Sequence, residues 1–314
     1  MNFVKRNTPL TTLTLIHISD FHLCQISGIS PGRFMNKRMF SYLSWRIRRQ
    51  REHCPQVLEA LTRAVRAAEA DHVVVTGDLT QLGLPSEFDE ARSILQALGP
   101  PQKVFVVPGN HDALVAAPWP ESYARWADYM ASDSANPQRH LEFPTLRMRG
   151  PVALIGLCTA RPTRLLSAAG SLGTRQLQRL AEILQETARR SLFRVLLIHH
   201  PPTPGMVSFH KRLTDAEAFT VIAKQQGAEL ILHGHSHLCS RAEMDGPLGH
   251  IPVLGISSAS AASRHPQRRA AFRSVRIART AEGWTTSFQE FVFSEETQRF
   301  ITAAPASSRS SPGD

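Results

Sequence analysis

The chain has 314 residues, 42% hydrophobic and 20% charged, enough to bury a sizeable core and inconsistent with a disordered chain. Its unbroken apolar runs, such as VLLI at 195–198, are strand-sized, far short of the roughly 20 residues of a membrane-spanning helix, and its first residues carry no secretory pattern, so the expected compartment is the cytoplasm. Four cysteines without a CxxC pair exclude a disulfide framework and a thiolate zinc site, and 36 Lys plus Arg against 26 Asp plus Glu, a net charge of +10, favour anionic partners.

In chain order, LTLIHIS (13–19), HVVVTGD (72–78), KVFVVPGN (103–110), VALIGLC (152–158), RVLLIHH (194–200) and ELILHGH (229–235) are predicted strands, short and rich in β-branched residues and leucine. Between them, 56–70, 87–98, 175–190 and 216–226 repeat apolar residues at three and four spacing, as helices do. Ser86 and Thr214 are expected to cap two of these helices through their hydroxyls. The alternation predicts an α/β layer architecture. IPVLGISS, FRSVRIAR and WTTSFQEFVF are read as further strands of a mixed or antiparallel second sheet. The segment 302–314, TAAPASSRSSPGD, is expected to be a disordered tail.

Five predicted strands end in potential metal ligands: Asp20 and His22 in SDFH, Asp78 in TGDLT, Asn110 and His111 in PGNHD, His199 and His200 in IHHPP, and His235 and His237 in HGHSH. Singly, each has a structural alternative, because Asp and Asn at strand ends form turns and a lone His is usually a hydrogen-bonded structural residue. Jointly they occupy one topological position, where α/β folds place active sites. Two carboxylates, one amide and four imidazoles suit two adjacent divalent ions, with manganese, iron, zinc or cobalt preferred over calcium and manganese favoured. Gly234 lets the backbone approach closely, and His235 and His237 can each reach a neighbouring ion.

These residues resemble the ordered signature of the calcineurin-like metallophosphoesterases: Asp20 and His22, Gly77 and Asp78, Gly109 to Asp112, His199, and Gly234 to His237. The resemblance implies an α/β fold, a four-layer αββα sandwich of two mixed β-sheets flanked by helices, in a domain spanning 12–295. It assigns one ion to Asp20, His22 and His237 and the other to Asn110, His199 and His235, with Asp78 bridging. His199 is chosen over His200 by its place relative to the following proline, and His200 and His233 are supporting candidates. It further implies attack by a metal-activated hydroxide. His111 would stabilise charge on the phosphate or leaving group and donate a proton, and Asp112 would either orient its ring or cap a helix.

IHHPPTPG, GDLTQLGLPSEF and GSLGTRQLQRL resemble the bacterial branch near the class III cyclic nucleotide phosphodiesterases. An insertion at about 30–53 departs from that branch. Met35, Met39, Leu43 and Ile47 recur there every four residues, with Phe40 and Tyr42, among Arg33, Lys37, Arg38, Arg46, Arg48, Arg49 and Arg51. A basic amphipathic helix of this kind is expected to meet an anionic membrane surface through 33–51, to cap the site, or to pack on the core. An apolar lid with cations suits UDP-2,3-diacylglucosamine, the substrate of calcineurin-like pyrophosphohydrolases that the chain resembles in this respect. A phosphorylated small-molecule or lipid-linked substrate is therefore expected. The alternatives are a soluble 3',5'-cyclic nucleotide phosphodiesterase and a non-catalytic metal-binding scaffold, and nucleic acid is not expected. Arg161, Arg164 and the arginines of 264–269 are further phosphate-contact candidates.

Overall fold

Runs of valine, isoleucine and leucine make the centres of two sheets in the computed structural model, which describes residues 11–23, 37–44, 46, 53–133 and 141–303. The strands in chain order are β1 Thr11–Ile18, β2 His72–Val75, β3 Val104–Val106, β4 Thr145–Arg149, β5 Val152–Gly156, β6 Phe193–Ile198, β7 Leu230–His233, β8 Ser240–Gly246, β9 Gly249–Gly255, β10 Ala271–Thr280, β11 Gly283–Ser294 and β12 Arg299–Thr302. The α-helices are α1 Lys37–Ser44, α2 Pro55–Ala67, α3 Pro85–Leu98, α4 Thr174–Arg189 and α5 Ala216–Gln226. One sheet has the order β12-β11-β10-β1-β2-β3 and the other β4-β5-β6-β7-β9-β8. Strands β1, β2 and β3 are parallel, as are β5, β6, β7 and β9. Their carboxyl ends therefore deliver successive loops to one edge of each sheet.

Alternation along the strands sorts the core into layers. Leu15, Val74 and Phe105 of the first sheet meet Leu154, Val195, Leu197 and Leu232 of the second. On the opposite face, Ile16, Ile18 and Val75 pack with Leu58, Leu61, Phe88 and Leu95 from α2 and α3. Leu196, Ile198 and Ile231 pack with Leu180, Leu184 and Phe219 from α4 and α5. The result is helix, sheet, sheet, helix, each buried aliphatic side chain contributing about 1.5–3 kcal/mol.

The six strands and four helices expected from pattern are present, with ends displaced by up to a few residues. Strands β4 and β8 were not legible. Both are edge strands, and β8, SRAEMDG, carries polar groups that a sheet edge tolerates and a sheet centre does not. The last-third strands do not form a separate sheet. Strand β9 pairs parallel to β7, and β10 and β11 extend the first sheet antiparallel from β1. Strand β12 carries the fold to Thr302, beyond the expected boundary at 295, and 304–314 lies outside the described residues.

Neither expected hydroxyl cap forms. Pro85 starts α3 one residue before Ser86, and the buried Glu87 carboxylate instead accepts the amides of Gln81, Leu82 and Leu84. Thr214 donates to the Gly170 carbonyl, while the Asp215 carboxylate accepts the amides of Leu172 and Gly173.

Helix α1 inverts the usual polarity. Arg38 is buried and donates to the carbonyls of Leu82 and Gly83 at 3.0 and 2.8 Å. Lys37 donates to Thr163 Oγ1 and the Ser167 carbonyl at 2.6 and 2.7 Å. Met39, Phe40 and Leu43 are 39%, 47% and 46% exposed, and Tyr42 packs beside Leu82, Leu84 and Leu114. Cations anchor this helix and its apolar side chains face outward. Met35, Ile47, Arg33, Arg48, Arg49 and Arg51 lie outside the described residues. Among the described residues no helix is long and apolar enough to cross a membrane.

Glu87→Ala is expected to lower the unfolding free energy by about 3 kcal/mol, since three buried amides lose their acceptor. Urea unfolding followed by circular dichroism measures it, and a loss within experimental error would refute this account of the α3 start.

Candidate metal centre

Asp20 and His22 follow β1, Asp78 follows β2, Asn110 follows β3, His199 follows β6, and His235 and His237 follow β7. The loops that carry them are tightly bent. Of the nine non-glycine residues with positive φ among the described residues, five are Asp20, His22, Asp78, His235 and His237, at 46–65°. Such backbone costs of order 1 kcal/mol or more per residue and persists only where surroundings enforce it. Here the Asp20 and His22 amides donate to the carbonyls of Gly77 and Asp78, and Ser258 Oγ donates to the Asp20 carbonyl at 2.6 Å. A side chain at Gly109 would place Cβ 2.2 Å from Asp78 Oδ1, and one at Gly234 would place it 2.5 Å from Asp20 Oδ2. Only glycine fits either position.

The donor atoms converge. His22 Nε2 and His237 Nε2 are 2.9 Å apart, and Asp20 Oδ1 lies 3.7 Å from the former and 3.3 Å from the latter. Asp78 Oδ2 is 3.8 Å from His22 Nε2 and 3.3 Å from His199 Nε2. His199 Nε2 lies 3.1 Å from Asn110 Oδ1. Donor atoms of Asp78, His199 and His235 also fall within 4.8 Å of one another. One carboxylate oxygen thus faces both groups, while Asp78 Oδ1 accepts the His111 amide at 2.7 Å.

These residues fit two cations. Asp20 Oδ1 is buried without a hydrogen bond of good geometry, and it points at imidazole nitrogens. The tautomers agree with ligation. His199 Nδ1 donates to the Thr76 carbonyl at 2.6 Å, which leaves Nε2, facing Asp78 and Asn110, as the nitrogen that would bind an ion once its proton is displaced. His235 Nε2 donates to the Lys211 carbonyl at 2.9 Å, which leaves Nδ1 for an ion. Burial alone would raise both carboxyls. His199 and His111 reverse this for Asp78 and hold it below the ordinary range, as His237 and His22 do for Asp20. Burial would lower His199, but the Asp78 charge lifts it to about 9.

His200 has a different environment. Its Nδ1 meets Thr159 Oγ1 at 2.7 Å and its Nε2 donates to the Ala168 carbonyl at 2.9 Å, and burial with the His199 charge lowers its pKa to about 3. Both nitrogens are engaged, so His199 is the member of the pair that faces Asp78. His233 is a core residue that donates through Nδ1 to the Gly234 carbonyl.

His111 donates through Nδ1 to the Gln81 carbonyl at 2.7 Å, lines the cavity, and has a ring nitrogen within 4.8 Å of donor atoms of His22 and Asp78. The expectation that Asp112 orients this ring is corrected: Gln81 does so. Asp112 instead accepts the Thr80 amide and hydroxyl and the Gly109 amide at 2.9–3.0 Å, tying the second and third ligand loops together. Burial and the Asp78 charge raise its carboxyl to about 7.

A cavity of about 410 Å3 opens over the site, lined by Asp78, Asn110, His111, His235 and His237 together with Lys37, Phe40, Leu165, Leu166 and Lys211. The arginines at 161, 164 and 264–269 are not among the residues lining it. Pattern reading also missed His53, whose ring nitrogen lies within 4.8 Å of donor atoms of His22 and His237. It precedes a helix instead of ending a strand, so the signal that found the others did not reach it.

Residues 13–239 match the model of a family described as calcineurin-like phosphoesterase. A probable cyclic nucleotide phosphodiesterase from Synechococcus sp. is 27% identical over 212 residues, covering 66% of this chain and 72% of that protein. The fold is shared with a dimetal phosphatase from Danio rerio at TM-score 0.58 and 15% identity, covering 89% of this chain and 99% of that one. It is also shared with the purple acid phosphatase PPD1 from yellow lupin at TM-score 0.55 and 11% identity, covering 95% of this chain and 57% of that one.

His199→Ala is expected to reduce bound metal from two ions per chain to one and to cut hydrolysis of an aryl phosphodiester by about 100-fold or more. His200→Ala should retain both ions while destabilising the fold by about 2 kcal/mol. Metal analysis after desalting, alongside urea unfolding, separates the two. The reverse pattern would exchange their roles.

Proposed function

The chain belongs to the calcineurin-like phosphoesterase family, whose members are metal-dependent phosphoester hydrolases, and from that premise we propose that it cleaves a phosphodiester or pyrophosphate bond in a nucleotide-linked lipid such as UDP-2,3-diacylglucosamine. One observation carries the substrate reading. Phe40, Leu165 and Leu166 line the cavity that holds the ligand set, yet they are 47%, 46% and 85% exposed. Phe209, between the cavity-lining Ser208 and His210 in sequence, is 66% exposed, with the Arg212 guanidinium carbon 3.8 Å from its ring centre. An acyl chain would bury this rim at about 25 cal/mol per Å2.

Asp20, His22 and His237 would hold one divalent ion and Asn110, His199 and His235 the other, with Asp78 shared and manganese favoured. Bound there, such a pair supplies Lewis acidity to the phosphoryl group and makes water nucleophilic at neutral pH. The side chains do the rest. His111, fixed by its own amide on Asp78 and by Nδ1 on Gln81, lines the cavity and, when protonated, gives a proton to the departing oxygen. Lys37 and Lys211 place cations beside the cavity, suited to a second phosphate. Phe40, Leu165 and Leu166 exclude water and receive the apolar part. The same outward face of α1, in a segment of sequence rich in arginine, would dock on an anionic membrane surface.

A second reading, a soluble cyclic nucleotide phosphodiesterase, is favoured by the likeness to the Synechococcus protein. A non-catalytic scaffold is disfavoured by the retention of every ligand in the signature.

In the manganese-loaded protein, Phe40→Ser with Leu166→Ser is expected to slow turnover of UDP-2,3-diacylglucosamine by at least about 10-fold, roughly the loss of one or two buried aliphatic contacts, while sparing an aryl phosphodiester. Rapid hydrolysis of cyclic nucleotides, with none of the lipid, would establish the second reading instead. His111→Ala should lower turnover by about 100-fold or more with two ions still bound. Loss of metal in that variant would make His111 a ligand.

A further inference from the structure

His53 closes the insertion that separates the first two ligand loops, and it is 3% exposed. Its backbone bridges to Ala261, and the next amide, Cys54, donates to the Ser260 carbonyl at 2.9 Å. The ring stands against the first ligand group, its centre 4.7 Å from that of His22 and 6.0 Å from that of His237. One nitrogen from each of the three histidines lies within 4.8 Å of those of the others.

The tautomer of this ring follows from its neighbours. Ser260 Oγ gives its only proton to the Phe21 carbonyl at 2.7 Å, an atom that can only accept. Towards His53 Nδ1, 2.8 Å away, Ser260 must therefore act as acceptor, and Nδ1 carries the hydrogen. Ser258 Oγ, 3.4 Å from the same nitrogen, is likewise committed as donor to the Asp20 carbonyl. In the neutral ring the lone pair is then on Nε2. A hydrogen bond at the distal nitrogen that fixes tautomer and ring direction is the usual accompaniment of a metal-bound histidine.

We infer that His53, through Nε2, is a further ligand of the ion held by Asp20, His22 and His237. The inference rests on the dinuclear reading above and deepens it. With His53 included, that ion has three imidazoles and two carboxylates, and the other has two imidazoles, one amide and the shared carboxylate. The two positions are therefore unlike. The nitrogen-rich one favours the later first-row ions, and both positions face the cavity, which is lined by His237 of the first set and by Asn110 and His235 of the second.

The test is a manganese titration of the full chain by calorimetry, with visible spectra of the cobalt-loaded protein, for the native sequence, His53→Phe and His53→Ala. The native chain is expected to bind two ions. Both variants should weaken one of the two sites by about 10- to 100-fold and change the cobalt bands of that site, while circular dichroism stays native. Unchanged isotherms and bands in a folded variant would overturn the assignment and leave His53 a structural partner of Ser260. Failure of the native chain to bind two ions would overturn the dinuclear reading and this assignment with it. If both variants fail to fold, a zinc-loaded crystal of the native chain decides: His53 Nε2 is expected about 2.1 Å from the ion, and a separation beyond about 3 Å overturns the assignment.

Discussion

One carboxylate oxygen, Asp78 Oδ2, stands between two groups of donors, each drawn from both sheets. Asp20, His22 and Asn110 are carried by the first sheet and His199, His235 and His237 by the second, so the site exists only where the two sheets are packed face to face with these loops at a common edge. That docking is apolar. Leu15, Val74 and Phe105 against Leu154, Val195 and Leu197 hold the sheets at a fixed separation, and the polar edge takes its geometry from them. Five left-handed residues and the glycines at 109 and 234 are the local cost of bringing five loops to one point, offset by the packed layers beneath.

Nearly all of the ligand set was legible because each member sits at the end of a buried strand, where a polar residue after a run of valine or leucine stands out. The choice between His199 and His200 was not legible from spacing. It depends on which ring nitrogen has a carbonyl beside it, and the Thr76 carbonyl that settles it is 123 residues distant in sequence. Asp112 was misread for a related reason. Adjacency to His111 suggests a contact, but the acceptor that orients that ring is the carbonyl of Gln81, and backbone carbonyls leave no mark in a residue pattern. Strands β4 and β8 escaped notice because sheet edges are released from the hydrophobic requirement that makes central strands visible. His53 escaped because its neighbours are serines of the 257–261 segment, contributed from the far end of the chain.

Helix α1 shows the limit of amphipathic patterning. The repeat of Met39 and Leu43 marks an apolar face correctly, but the pattern does not say which way that face turns. Arg38 decides it. A guanidinium donating to two loop carbonyls is a stronger and more directional anchor than a methionine on a convex surface, so the cation goes in and the hydrocarbon stays out. Lys37 fastens the same helix to the 163–167 loop across the cavity mouth. The helix is thereby positioned by polar bonds, and Met39, Phe40 and Leu43 stay exposed.

The strand order fixes when this centre can come into being during synthesis. Strand β1 lies between β2 and β10, so the strand carrying the first two ligands lacks one neighbour until residues 271–280 have been made. The second sheet likewise waits for β9 to cover β7. Until then Asp20, Asp78 and Asn110 have no completed frame around them, so the convergence of donors is a property of the assembled pair of sheets and of no shorter stretch of chain.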